Sequence, residues 1–323
     1  MLSAHLVLAL AAAVLVLVAC LAAISAIITL AINYRFPPEG SFLAVDGGKL
    51  HLVDHVACER PKADVLLIHG ASASLADQLV ALSNSLSPRY RIVAIDRPGL
   101  GWSDRPGKAG DACLLRQARM IVEAARQIGV ARAVVIGHSL GAAVAGALAV
   151  ERPEFVRGIV FVAPASHPWP GGVAWYYRLV ATPIIGRLFA VLIAPIAGAF
   201  LLAPGVRSVF HPQAPPRDYI GRSAAWRAVT PLRFEASSQD VAALHANVAK
   251  LSRCYSEIRA PSFIITGDRD GTVRPSIHSE GLARDIPGAK LVVLPGVGHM
   301  PHHVRPDTVL SAVDEIVAMT SQA

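Results

Sequence analysis

Ala133-Val134-Val135-Ile136-Gly137-His138-Ser139-Leu140-Gly141 is the stretch that decides the fold, and helix formers from Ala142 to Val150 follow it. A β-branched run, a serine between two glycines and a helix-forming run predict strand, sharp turn and helix. The G-x-S-x-G spacing has a mechanical reason. The turn is too tight for side chains at its flanks, and the serine sits in a strained backbone conformation that pushes its hydroxyl out of the sheet edge. Five residues with three fixed occur by chance, so the strand before and the helix after give the motif its weight.

A serine hydroxyl is a poor nucleophile at neutral pH. It needs a base, and the base needs an orienting carboxylate. The chain supplies both in the order Ser, Asp, His. Ser262 to Thr266 reads as a strand that runs into the loop Gly267-Asp268-Arg269-Asp270-Gly271. Leu291 to Leu294 reads as the next strand, ending in the loop Pro295-Gly296-Val297-Gly298-His299. Ser139, Asp270 and His299 therefore all belong at the C-terminal edge of a parallel sheet, where open α/β sheets bind ligands.

With these residues the chain resembles the α/β-hydrolase fold family over roughly residues 40–320. The matching segments are Leu66-Leu67-Ile68-His69-Gly70, Asp96 to Ser103, the serine turn, the Gly267 to Asp270 loop and Gly298-His299-Met300-Pro301-His302. Five motifs in the family's order are far more specific than any one alone. The resemblance implies Ser139 as nucleophile, Asp270 as acid and His299 as base. It puts the backbone N–H groups of Ala71 and Leu140 in the oxyanion hole, a large catalytic contribution in such sites. It also ranks Asp270 above Asp268, since the family position is the aspartate three after Gly267, and His299 above His302 and His303. Family members that open epoxides or displace halide place aspartate where Ser139 stands, which disfavours those chemistries. The glycine-rich HGGG turn of some lipases is absent, because His69-Gly70 runs into Ala71-Ser72-Ala73. That favours the simpler oxyanion hole of esterases and cofactor-free perhydrolases.

The 323 residues suffice for one large α/β domain with an insertion, and 53% of them are apolar, above the usual share. The excess comes from Leu6 to Ile32, which holds no charged residue. As a helix these residues would span roughly 40 Å, enough to cross a bilayer with some tilt. No Lys or Arg precedes Arg35, which argues against a cleaved signal peptide. Leu17-Val18-Ala19-Cys20 resembles a lipidation box, but apolar residues continue after the cysteine. The expectation is a single-pass membrane anchor, with Arg35 too little to fix the side of the soluble part. The net charge of +7 lies from Arg35 onward and suits an anionic lipid surface. No basic run or motif points to nucleic acid. Cys20, Cys58, Cys113 and Cys254 are scattered and form neither a disulfide framework nor a metal signature.

Residues 1–34 are thus expected to form the anchor and 35–166 the first part of the core, with the nucleophile. Residues 167–254 are expected to form a helical cap, and 255–323 the second part of the core, with acid and base. Pro37-Pro38 reads as a stiff link, and Asp46-Gly47-Gly48 as a hairpin turn between 41–45 and 49–53. Val65 to His69 and Arg91 to Ile95 read as buried strands around a helix at 74–86. Asp111 to Ile128 reads as a helix capped by Asp111, Gly158 to Ala163 as a strand, and Pro306 to Met319 as the closing helix. Thr182 to Pro204 is almost wholly apolar, but one crossing there would separate Ser139 from Asp270 and His299. It is read as cap helices lining an apolar entrance or touching the bilayer, with Leu188 and Ile193 as lining residues. His69, Asp96, Ser103 and His138 are read as structural, and Trp169, Trp175, Tyr176 and Tyr177 as cap packing. His299, His302 and His303 invite a metal, but no carboxylate or cysteine completes an evident set and serine chemistry needs none. No cofactor is expected.

These readings give a serine hydrolase that cleaves a carboxylic ester through an acyl-enzyme. C–C bond cleavage of vinylogous diketones uses the same triad, although Met300 stands where that branch carries Trp after the base. Perhydrolysis is a further alternative, and a membrane-tethered scaffold with a vestigial site is the non-enzymatic one.

Overall fold

The computed structural model describes residues 4–321. It opens with one long apolar helix, α1 (Ala4–Arg35), followed by the hairpin β1 (Ser41–Val45) and β2 (Gly48–His55). The hairpin turn is Asp46-Gly47, with Gly47 at φ +81°, and Gly48 already belongs to β2. Then come β3 (Asp64–Ile68), α2 (Leu75–Leu86), β4 (Arg91–Ile95), α3 (Leu114–Gln127), β5 (Ala133–His138), α4 (Leu140–Glu151) and β6 (Val156–Val162). Five helices separate β6 from the next strand: α5 (Trp175–Val180), α6 (Ile185–Leu192), α7 (Ala194–Phe210), α8 (Tyr219–Arg222) and α9 (Pro231–Leu251). The chain closes with β7 (Ser262–Gly267), α10 (Pro275–Asp285), β8 (Lys290–Leu294), α11 (Pro301–Val304) and α12 (Pro306–Ser321).

The eight strands form one sheet in the order β1-β2-β4-β3-β5-β6-β7-β8. β1, β2 and β4 pair antiparallel, and all pairs from β4 to β8 are parallel. The parallel strands are apolar on both faces, because helices cover both. Leu66, Ile68, Val93, Ile95 and Val135 pack with α3 and α4, whereas Val65, Leu67, Ile92, Ala94 and Ile136 pack with α2 and α12. α4 is rich in Ala and Gly and buried nearly all round, which lets it lie close on the sheet. The register sets Ile68 beside Gly137, His138 beside Val162 and Gly267 beside Leu294. The loops after β3, β5, β7 and β8 therefore leave one edge side by side.

α1 is long and apolar enough to cross a membrane, and its apolar window is not buried in the protein. Its C-terminal half packs on α6 and α7, with Ser25 and Ile32 buried there. α6 and α7 are apolar as well, but bend by 67° at the break between them. Asp111 is not the cap of α3. Residues Lys108–Ala112 form a 3₁₀ turn, and α3 begins at Leu114 after Cys113. The Asp111 carboxylate instead accepts the Gly107 N–H at 2.8 Å and Arg116 Nε–H at 2.6 Å. A side chain with stronger partners four and five residues away is not free to cap.

Candidate active site

The turn between β5 and α4 holds Ser139 at φ +52°, ψ −118°, a region that a residue with a Cβ adopts only when its surroundings enforce it. Its N–H donates to Val162 O at 2.9 Å and its C=O accepts the Ala165 N–H at 3.2 Å. The flanking glycines are required by close approach. A Cβ at Gly137 would lie 2.5 Å from Gly141 O, and one at Gly141 would lie 2.3 Å from Ile68 O. The strand end of β3 is thus pressed against the serine turn. Ala71 and Leu140, the latter at the start of α4, line one cavity with Ser139. The N–H of neither residue has a hydrogen-bond partner among the described residues.

His299 follows β8. Its Nδ1–H donates to Asp270 Oδ2 at 2.8 Å, and both side chains are buried. The other Asp270 oxygen accepts the N–H groups of Thr272 and Val273, both at 2.9 Å, so the carboxylate is held from both sides. This arrangement fixes the tautomer with a free lone pair on His299 Nε2. Asp268 is exposed and caps the Gly296 N–H at 2.7 Å. Ser139 and His299 line one cavity, and no hydrogen bond joins Ser139 Oγ to any of the described residues.

That cavity measures about 470 Å³. Phe189, Leu201, Leu202, Val206 and Val209 of α6 and α7 make one wall, and Tyr176, Tyr177 and Phe234 another. Leu188 and Ile193 do not line it. Leu188, on α6, and Ile193, at the break before α7, are exposed instead; a six-turn stretch whose only charge is Arg187 carries too little signal for which face turns inward. A second cavity of about 460 Å³ shares Ala71, Ser139, Tyr177 and Thr272, and runs past Trp169 toward Arg274 and His278. Ser139 thus stands where two arms meet. Of the four aromatic residues read as packing, Tyr176, Tyr177 and Trp169 form cavity walls, while Trp175 is exposed.

Side chains behind the site account for its shape. Arg97 is wholly buried; it donates from Nε to His69 O and from Nη2 to Gly70 O, each at 3.0 Å. Its Nη1 reaches Gln117 Oε1 at 3.0 Å and Asp240 Oδ2 of α9 at 2.6 Å. His69 Nε2 accepts the Arg97 N–H at 3.0 Å, and burial pulls its pKa down to about 4, so the ring stays neutral. His138 is buried between His299 and His302, with ring centroids 4.9 and 4.4 Å away, and donates from Nε2 to His299 O at 3.0 Å. Burial, with His302 and His299 beside it, lowers its pKa well below the usual value. Asp96 accepts N–H bonds from Leu75 and Trp102 at 2.8 and 2.9 Å and from His51 Nδ1 at 2.7 Å. Ser103 Oγ donates to Asp96 O at 2.6 Å.

Two functional neighbours escape a sequence reading. Gln213, in the loop after α7, accepts the Gly298 N–H at 3.0 Å and donates to Gly296 O at 2.6 Å, clamping the His299 loop. A Cβ at Gly298 would sit 2.0 Å from His211 O, so this glycine is needed for close passage of the inserted chain. The other is Asp77 of α2. It accepts Tyr219 Oη–H at 2.7 Å and His303 Nε2–H at 2.9 Å, with His302 Nε2 at 3.5 Å. Despite burial, the two histidines hold its carboxyl well below the usual carboxylate range. Asp77 supplies the carboxylate that the histidine cluster lacked in sequence. One ligand atom from each of Asp77, His302 and His303 lies within 4.8 Å of the others, a set able to hold a metal ion.

Comparison with known proteins places this geometry. A family model described as alpha/beta hydrolase fold matches residues 65–306. Haloalkane dehalogenase 2 of Mycobacterium tuberculosis is 28% identical over 87% of this chain and 95% of its own. A crystal structure of a membrane phospholipase A, described as a bacterial virulence factor, covers 99% of this chain and 98% of its own at 25% identity and a TM-score of 0.66. A hydrolase from Pseudomonas aeruginosa PA01 covers 86% of this chain and 97% of its own, again at 25% identity and a TM-score of 0.66.

Proposed function

Because the chain belongs to the alpha/beta hydrolase fold family and is a hydrolase, we propose that it is a membrane-anchored serine hydrolase acting on carboxylic esters with an apolar acyl group. One observation carries this reading: Ser139, in its strained turn, shares an apolar cavity with a histidine held by Asp270 at 2.8 Å.

In this mechanism His299 Nε2 takes the Ser139 proton as Oγ attacks the ester carbonyl. The carbonyl oxygen becomes an oxyanion, and the Ala71 and Leu140 N–H groups receive it. Collapse expels the alcohol, which takes the proton back from His299 and leaves an acyl-Ser139 ester. Water, deprotonated by His299, then attacks the acyl carbon, and collapse releases the acid and regenerates Ser139. Asp270 orients the imidazole and stabilises its cation. The larger apolar arm takes the acyl chain, and the arm toward Trp169 takes the alcohol.

Halide displacement, the activity named for the mycobacterial relative, fits this chain poorly. Attack by serine on an alkyl halide would leave an ether with no carbonyl for water to attack. The phospholipase likeness supports an acyl ester and a membrane. So does α1, which lies against α6 and α7 of the segment 167–254, here taken as the cap between core parts 35–166 and 255–323. The test is labelling of the full chain with a fluorophosphonate, followed by a p-nitrophenyl ester series. Stoichiometric labelling lost in Ser139→Ala is the expected result. An unlabelled protein with no esterase activity would leave a tethered scaffold.

A further inference from the structure

A separate cavity of about 300 Å³ lies between the last turn of α1, the β2 edge and α2. Arg35, His51, Trp102, Arg222 and Arg227 are in its walls. Arg227 is the unusual member. It is 4% exposed, and its guanidinium lies 3.5 Å from the centre of the Trp102 ring. Nη1 donates to Asn33 Oδ1 of α1 at 2.9 Å and Nη2 to Gly101 O at 2.6 Å. Both acceptors are neutral. Nε is buried and has no hydrogen-bond partner. Among the described residues no carboxylate lies within ion-pair distance of Arg227, Arg35 or Arg222.

A buried cation without a counter-charge is costly, and such charges are normally paired. The cost shows in the Arg227 pKa, which burial and the neighbouring Arg233 pull down to about 9. Asp96, an acidic group on this cavity, raises that pKa in turn but offsets only part of the cost. Asp96 is occupied by His51 and by the Leu75 and Trp102 N–H groups, and Glu39 is exposed and makes no ion pair. Arg35, Arg222 and Arg227 therefore line an open volume of small-ligand size, and one Arg227 N–H is left without a partner.

We propose that this cavity binds a terminal phosphate, as a phosphate monoester or free phosphate, through Arg35, Arg222 and Arg227. Guanidinium groups match phosphate in charge and in planar fork geometry. The position argues for the source. The cavity opens at the last turn of the apolar helix α1, where a spanning helix would leave the hydrocarbon and meet lipid headgroups. Arginines at that height draw anionic lipids.

The experiment uses the full chain in a neutral detergent. Isothermal titration is run with sodium phosphate, with a short ether-linked phosphatidic acid and with its phosphatidylcholine counterpart; the ether links keep ester cleavage out of the measurement. Saturable binding of phosphatidic acid is expected, weakened about fivefold for each arginine removed in R35Q and R222Q, with Trp102 fluorescence changing in step. Both variants are on the rim and should keep the wild-type melting temperature, which R227M need not. Saturation by inorganic phosphate alone, lost in the R35Q/R222Q double variant, would support the site and assign it to a soluble phosphate. Equal affinity for both lipids, undiminished affinity in the double variant, or no saturation by either phosphate source would overturn the proposal.

Discussion

Arg97, in the loop after β4, and Asp240, in α9, form an ion pair of 2.6 Å with both side chains sealed from solvent. The same guanidinium holds the carbonyls of His69 and Gly70, the two residues before the proposed oxyanion donor Ala71. A helix of the inserted segment is thereby tied to the turn that carries this proposed donor. Arg105 adds a second contact to Asp240 at 2.9 Å.

The first prediction concerns this pair. Asp240→Leu leaves Arg97 buried without its partner and should lower the unfolding free energy by about 3–5 kcal/mol. Arg97→Met/Asp240→Leu should be less destabilised than the sum of the single variants, because neither charge is then left alone. Both singles should lower kcat more than they raise KM, through a displaced Ala71 N–H. Urea unfolding and ester kinetics on the four proteins complete the cycle; strictly additive losses would show that the pair does not act as a unit.

A second prediction separates the two loop aspartates. Ser139→Ala should lower kcat by roughly 10⁴–10⁶-fold with the fold intact. Asp270→Asn should cost about 10⁴-fold, because it would favour the wrong histidine tautomer. Asp268→Asn should cost little, since that side chain only holds the Gly296 N–H. Reversed effects would reassign the acid. Dialysis against EDTA should leave the rate unchanged; a loss that zinc restores would place a metal on Asp77, His302 and His303.

The third prediction is acid lability. Burial lowers the pKa of His69, His278 and His302 from 6.5 to about 4 each. Their rings are needed neutral. His69 Nε2 accepts the Arg97 N–H, and His278 Nδ1 accepts the Ser166 and His167 N–H groups. Since the unfolded chain binds these protons first, stability present above pH 6.5 is lost as pH falls through 4. The lowered carboxyls of Asp77 and Asp96 act only below the ordinary carboxylate range. The melting temperature should be nearly flat from pH 8 to 7 and fall steeply from 6.5 to 4. An unchanged value at pH 4.5 would contradict the buried neutral rings.

What was legible in sequence was local. The strand, turn and helix around Ser139, and the loops of Asp270 and His299, each encode their geometry within ten residues. Parallel pairing then aligns them with no further information. Contacts made by the inserted segment were not legible. Gln213 clamps a loop 83 to 85 positions away, and Asp77 meets His302 and His303 some 225 positions away, so no periodic pattern connects them. Asp111 read as a helix cap because its partner Arg116 is invisible as such until the 3₁₀ turn forms.

The last prediction concerns substrate size, and it uses the face that the fold selects. Phe189 and Leu202 line the cavity beside Ser139, while Leu188 is 53% exposed on the outer surface of α6. Each added CH₂ buried in the apolar arm is worth up to about 0.8 kcal/mol, close to fourfold in kcat/KM. Activity on p-nitrophenyl esters should climb from acetate to hexanoate and level off when the arm is full. Leu202→Asp puts a charge in that arm and should flatten the climb while sparing acetate, which does not reach it. Leu188→Asp should leave the chain-length profile intact and weaken retention on vesicles, since its side chain faces outward on a helix that packs against α1. A profile that peaks at acetate in the wild type, or one that Leu188→Asp flattens and Leu202→Asp does not, would mean that the acyl chain binds elsewhere.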